Sequence, residues 1–528
     1  MSSDDATRLT TTPAALGIPR PRLVGALVAF AWLAFGIGLH PLMLPEEGRY
    51  VGVAWEMLRS SDWVVPTQNG LPFFHKPPLF YWLTALSMEL FGANAAAARL
   101  APLLGASLAA LGFHAVARRR AGAAAADASI VVLATLPFFF AGAQFANLDM
   151  LVAAFVALAI VFAADAALAL GHEEPHRTQL VLAWACAALG VLSKGLIGLV
   201  LPGLVIVVWL VVSGRARTIL RLVSPLGLAV FMLVAAPWFV AVQARHAGFA
   251  RYFFVHQHFE RFTAGGFNNP QPVWFFFVVL PLLALPWSFW LARGRVRAAP
   301  QDDADRRAWR QLMWTWLASV VVFFSLPESK PIGYVMPAIF PLAFLVAEPV
   351  LSAWRHERRL PRGLVVATFA GAVAICIGAT AWLALRYDRD NTALGRTLDQ
   401  LRAPGDPVVF VGEYFFDVPL HARLTEPVAV IADWNDPKIA ERDNWRRELA
   451  EASAFAPERG AALLVDAAHG YALRCGKAPL WAVVKLDDEA RVAAQPEARR
   501  VLVSHHAALW RLAPQPCVSS ARPQGSTR

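Results

Sequence analysis

Charge is what this 528-residue chain has least of. Only 16% of its residues are Asp, Glu, Lys or Arg, while 57% are hydrophobic. Soluble domains carry about 25% charged residues, so composition excludes an ordinary soluble protein and points to an integral membrane protein. By single residue type, cysteine is scarcer still. The four present, Cys186, Cys376, Cys475 and Cys517, form no zinc or redox spacing. The first two fall in apolar segments as small packing residues. Cys475 and Cys517 share the C-terminal region and are placed to pair if it meets an oxidising compartment. No compact basic domain accompanies the net charge of +10, which excludes nucleic acid as the natural partner. That excess suits cytoplasmic loops that fix topology, and next the binding of anionic lipid or phosphate. The polar N-terminus, residues 1–22, lacks a signal-peptide pattern, so the first helix is expected to remain as an anchor. No internal repeat is evident.

What is present is a series of apolar segments, each near the roughly 20 residues a membrane crossing needs. They run 23–40, 96–117, 123–142, 148–170, 179–193, 195–212, 219–242, 273–292, 309–327, 332–350 and 363–386. The expectation is a polytopic α-helical membrane protein of about eleven helices over 23–386, after a cytoplasmic tail at 1–22. Arg118 to Arg120, Arg215 with Arg217 and Arg221, the run 293–297 and Arg355 to Arg362 fall on one side, which the positive-inside rule makes cytoplasmic. The loop 41–95, the segment 243–272, the turn at Lys330 and everything beyond 386 then lie outside. Within the loop, 79–91 is apolar but too short to span and reads as an interfacial or re-entrant helix, opened by Pro77-Pro78. From 387 to 513 short apolar runs at 407–412, 427–433, 461–467, 480–486 and 508–513, with a charged amphipathic stretch at 436–455, predict a small α/β domain. The tail, 514–528, reads as disordered.

The loop stands out. Between Pro45 and Trp82 it packs Glu46, Glu47, Arg49, Glu56, Arg59, Asp62, His75 and Lys76 among prolines and aromatics. The topology brings Asp149, Lys194, Arg251, His256, His258, Glu260, Arg261, Glu328 and Lys330 to the same face. Ionisable groups beside membrane helices are functional candidates by default, and a surplus of cations suits a phosphate. Each has a plainer reading. Lys194 also fits the outer turn of a hairpin, Asp149 a helix start, and Arg251 and Arg261 a solvated loop. His256-x-His258 makes a metal pair only on extended backbone. A transporter or flippase would need charges or broken helices near mid-bilayer, and repeated halves, whereas these groups gather at one face.

The order Pro-Glu-Glu-x-Arg-Tyr (45–50) followed by WEMLRSSDWVVPTQNGLPFFHKPPLFYW (55–82) resembles the first outer loop of bacterial lipid-A aminoarabinose transferases. These belong to the GT-C polyprenyl-phosphate-dependent glycosyltransferases, with the protein O-mannosyltransferases. The likeness continues through ANLDM (146–150), LSKGLIGLVLPG (192–203), the stretch 237–262 and FFSLPESKPIGYVMPAIFPL (323–342). The resemblance implies an enzyme of the bacterial inner membrane with a periplasmic active site. It would take a sugar from an undecaprenyl phosphate carrier and pass it to lipid A or another envelope acceptor. The resemblance implies Glu46 and Glu47 as catalytic residues and Arg49, Lys76 and Lys330 as donor-phosphate ligands. The shared outer face adds Asp149 to the first set and Lys194 and Tyr334 to the second, with His75, His256 and His258 as candidates for a divalent metal. A protein O-mannosyltransferase-like enzyme is the alternative. Two positions depart from the pattern: Glu46 stands where aspartate is usual, and His75 where the related loops read Phe-Glu-Lys-Pro.

Overall fold

The computed structural model describes residues 20–260, 269–293, 304–355, 359–441 and 444–516. Its centre is the helix Leu148–Gly171, buried along almost its whole length. Asn147 starts it by accepting from the Asp149 amide, and Asp149 sits in the first turn, where the helix dipole favours a carboxylate. At about 1.5 Å per residue it is long enough to cross a bilayer. The helices Leu100–Ala121 and Arg177–Lys194 pack against it. Two outer helices, Pro225–Arg245 and Arg359–Arg386, leave most of their apolar surface exposed, as lipid-facing helices do.

Each of the eleven apolar segments is helical in whole or in part. Five described helices are long and apolar enough to cross a membrane, and six if a bent pair is one span. That pair, Ala123–Thr135 and Pro137–Ala143, turns by 68° at Leu136. The residue before a proline is held out of helical geometry, and Leu136 is extended (φ −72°, ψ 118°). Sequence periodicity alone reads 123–142 as one segment. Around Lys194 the chain makes a tight hairpin between Arg177–Lys194 and Ile197–Val212. Gly195 takes φ +105°, and a Cβ on Gly198 would overlap the backbone at Gly190.

The loop 41–95 is folded throughout. The helix Glu46–Ser60 starts after Pro45, carries Glu46 and Glu47 in its first turn and ends at Ser61 with φ 57°. A short antiparallel hairpin follows, β1 (Thr67–Gln68) and β2 (Leu71–Pro72), closed by Asn69-Gly70, both at positive φ. The helix Leu79–Phe91 completes it, with Leu86, Leu90 and Phe91 exposed.

The C-terminal unit is a six-stranded sheet. Its strands are β3 (Val408–Val411), β4 (Ala429–Ile431), β5 (Leu464–Val465), β6 (Leu480–Lys485), β7 (Ala498–Val503) and β8 (Ala507–Leu512). They lie in the order β5-β4-β3-β6-β8-β7, parallel from β5 to β6 and antiparallel at β8 and β7. Alternate residues of β3 enter two cores on opposite faces, Val408 with Phe410 and Val409 with Val411. Strand β7, absent from the sequence reading, is an edge strand whose Arg499 and Arg500 are exposed and mask its apolar pattern. The 436–455 stretch is two pieces, a 3-10 turn Pro437–Glu441 and a helix Trp445–Ser453 capped by Asn444.

Loop and sheet are fastened together. Leu71 belongs to one of the sheet's cores. Asn69 donates to Val428 O at 2.9 Å and accepts from Val428 N at 2.8 Å, and Arg459 donates to Gly70 O at 2.8 Å. Glu56 accepts from the Asn69 and Gly70 amides beneath the turn; burial pushes its carboxyl above the ordinary range although those amides oppose the shift.

Candidate active site

A cavity of about 660 Å³ opens where the loop, the start of Leu148–Gly171, the Lys194 hairpin and the turn at 329–334 meet. Four cations, Arg49, Lys76, Lys194 and Lys330, and two carboxylates, Glu46 and Asp149, line it. Tyr50, Gln144, Asn147, Asn269, Gln271 and Tyr334 add polar groups. The rest of the lining is largely apolar, with Phe138, Phe140, Phe145, Phe275, Met336 and Leu383. The segment after the bend at Leu136 supplies several of these groups, since residues from 137 to 145 line the cavity.

Glu46 is half exposed and 3.6 Å from Arg49 Nη2. Burial pushes the neighbouring Tyr50 phenol above its usual range, so it is a hydrogen-bonding group and not a phenolate. Asp149 pairs with Lys194, whose ammonium lies 4.7 Å from the centre of the Tyr334 ring. Gly333 permits this arrangement, since a Cβ there would overlap the Asp149 carboxylate.

Glu47 is corrected by the structure. It does not face the cavity. Oε1 accepts from Arg99 Nε at 2.8 Å and Ala146 N at 2.7 Å; Oε2 accepts from Arg99 Nη2 at 2.7 Å and Met43 N at 2.7 Å. Both partners are fully buried. Arg99 also donates to the Ile37, His40 and Pro41 carbonyls, so the pair staples four segments together. A carboxylate holding four donors has no lone pair left for an acceptor proton. Lys330 is also engaged: its ammonium donates to Gln271 O at 2.8 Å and to Pro327 O. It lines the cavity as a buried positive charge that holds the 269–271 and 327–330 segments together.

The histidines lie beside the cavity. His75 and His256 both approach Glu451, at 3.6 and 3.7 Å. The 251–260 backbone is a π-type helix and lacks the extended geometry on which a His-x-His spacing makes a metal pair. The side chain of His258 and all of Arg261 lie outside the described residues, as does Cys517. Among the described residues no group of three or more His, Cys, Asp or Glu is arranged for a metal ion. Sequence reasoning missed Arg99, although a lone charge in NAAAARLAP is the signal that selected the others. It also missed Glu448 and Glu451, which carry no local signal on a charged helix.

Fold and cavity together define a polytopic α-helical membrane protein, and its fold is one seen in solved structures. Over 96% of this chain and 100% of the other, it superposes on the crystal structure of ArnT from Cupriavidus metallidurans bound to undecaprenyl phosphate, with TM-score 0.77 and 23% identity. An archaeal oligosaccharyltransferase, AglB from Archaeoglobus fulgidus, shares the fold at TM-score 0.52 and 14% identity, over 89% of this chain and 70% of that one. Residues 75–240 match the family described as dolichyl-phosphate-mannose-protein mannosyltransferase. The chain is 31% identical over 363 residues to the undecaprenyl phosphate-alpha-4-amino-4-deoxy-L-arabinose arabinosyl transferase of Pseudomonas paraeruginosa, covering 66% of this chain. It spans 62% of that relative's length. The resemblance read from residues 45–82 is borne out.

Proposed function

We propose that the protein is an inverting glycosyltransferase that moves a 4-amino-4-deoxy-L-arabinose-like sugar from undecaprenyl phosphate to lipid A. The observation that carries this is the mixed lining of one cavity, which joins four cations and two carboxylates to aromatic and aliphatic side chains. A phosphate headgroup and sugar match the charged groups, and a polyprenyl chain leaving among the helices matches the apolar ones. The likeness to arabinosyl transferases supports the sugar and its undecaprenyl phosphate carrier; lipid A is the acceptor that the resemblance of the 45–82 loop implies.

In this reading the eleven segments lie in the membrane, 123–142 as a bent pair that ends at the cavity, with 1–22 cytoplasmic. The loop 41–95, the cavity and the 387–513 unit face the periplasm, and 514–528 is a tail. Attack by an acceptor oxygen at the sugar C1 breaks the bond to the phosphate oxygen, and polyprenyl phosphate departs with the bonding pair. Arg49, Lys76 and Lys194 neutralise the growing charge. Glu46 and Asp149 orient the acceptor, and Glu46 takes its proton where the attacking group is a hydroxyl. A divalent ion near His75 and His256 is a separate proposal; a requirement would show as activity lost on chelation and restored on adding the metal back.

The test is purified protein incubated with the lipid-linked aminosugar and lipid A, read by mass spectrometry. Lipid A gaining one aminosugar residue is the expected product. No gain, with transfer instead to a serine- or threonine-containing peptide from a mannosyl donor, would favour the mannosyltransferase reading suggested by the match over 75–240.

A further inference from the structure

The helix Trp445–Ser453 belongs to the C-terminal unit, with Leu449 and Ala452 in that unit's core. Its residues Glu448 and Glu451, three apart and so on one face, reach the loop instead. Glu448 is buried and pairs with Arg49 Nη1 at 2.9 Å, while the guanidinium carbon lies 5.6 Å from the Phe416 ring centre. Glu451 Oε2 accepts from the Tyr252 hydroxyl at 2.6 Å and lies 3.6 Å from His75 Nε2. Its Oε1 accepts from Arg447 Nε at 2.7 Å. The Tyr252 oxygen is itself 3.0 Å from His75 Nε2. Since His75 directly precedes Lys76, the two carboxylates grip the loop beside both cations it contributes to the cavity.

We propose that Glu448 and Glu451 are positioning residues for Arg49 and Lys76, so that the C-terminal unit sets the donor-phosphate geometry. A long cationic side chain loses rotamer freedom when it binds, and a partner that orders it beforehand removes that cost from the binding step. The Glu448 carboxylate holds the Nη1 end of a guanidinium that has five donors. The same carboxylate also competes with the phosphate for that cation. Ordering predicts weaker donor use without Glu448, and competition predicts tighter use, so the sign is the test.

The inference rests on Arg49 being a donor-phosphate ligand. Donor KM and kcat are measured separately for the full-length Glu448→Gln, Glu451→Gln and Arg49→Ala proteins and the Glu448→Gln/Arg49→Ala double variant, using the undecaprenyl-phosphate-linked aminosugar. Glu448→Gln is expected to raise donor KM about tenfold with kcat within about threefold, and to add nothing in the Arg49→Ala background. Glu451→Gln is expected to raise it about threefold. Glu448→Asp, which keeps the charge with a shorter reach, is expected to fall between and serves if the glutamine variant fails to fold. A donor KM unchanged or lowered in Glu448→Gln and Glu448→Asp, or raised by the same factor without Arg49, overturns the inference. A wild-type donor KM in Arg49→Ala itself would instead sink the phosphate reading of Arg49, and this inference with it.

Discussion

The helix Leu148–Gly171 carries an acidic residue near each end, and the two ends have opposite fates. Asp149, at the start, pairs with Lys194 at the edge of an open cavity. Asp165, about 24 Å further along at 1.5 Å per residue, sits in a closed cluster. It accepts from Arg119 at 2.6 Å and Arg120 at 2.7 Å, and Arg120 goes on to Asp305 at 2.8 Å, which meets His172 at 2.7 Å. Both ends gather charge from distant parts of the chain. The first lines a cavity, while the second holds a fully buried carboxylate among its partners. Convergence of charge therefore marks two kinds of place, and burial with a full set of partners separates a structural knot from a site.

The comparison breaks most visibly at the cavity cations. Replacing Lys76 by alanine is expected to lower kcat/KM for transfer about 10²- to 10³-fold, the scale of losing one group that stabilises developing charge, with the melting temperature close to wild type. At the closed end, Asp165→Ala leaves two arginines without their buried partner and should destabilise the protein by about 3–5 kcal/mol. Its folded fraction should keep a turnover within about twofold of wild type. Glu47→Ala belongs with this second class despite its position beside Glu46. It strands the buried Arg99, at a similar cost of about 3–5 kcal/mol in stability, read as a lowered melting temperature. Glu46→Gln should act on kcat and spare stability.

Gly333→Ala sharpens the line between the classes. The added methyl must push Asp149 away from Lys194, at an expected cost of about 1–3 kcal/mol in stability and a clear loss of transfer. The smallest effect is at the exposed Arg245–Asp62 pair. Burial alone would raise the Asp62 carboxyl, but the Val64 and Val65 amides and Arg245 hold it below the ordinary range. Its stabilisation is therefore present above the unfolded carboxylate range and lost as pH falls through the lower folded value. Arg245→Ala should cost about 0–1 kcal/mol near neutrality, and the difference in melting temperature should shrink on acidification.

Much of this was legible in the residues. Apolar length located the helices, and the oddity of dense charge after the first of them located the loop that walls the cavity. Glu46, Arg49, Asp149 and Lys194 also came through as candidates, because a charge beside an apolar segment needs a reason to be there; that Lys194 pairs with Asp149 did not. What stayed hidden depends on three-dimensional closure. Glu46 and Glu47 are adjacent in sequence, yet a helical turn points one to the cavity and the other to Arg99. The bend at Leu136 follows from one proline inside an otherwise uniform apolar run. Glu448 and Glu451 sit on a solvated-looking charged helix, and their contacts with Arg49, His75 and Tyr252 come from distant parts of the chain.

The central claim is that the open cluster, and not the closed one, holds a lipid-linked phosphate. Native mass spectrometry of undecaprenyl phosphate binding to the wild type, Lys76→Ala and Asp165→Asn tests it directly. Binding weakened about tenfold or more in Lys76→Ala and unchanged in Asp165→Asn is the predicted result. Wild-type binding in Lys76→Ala would contradict it.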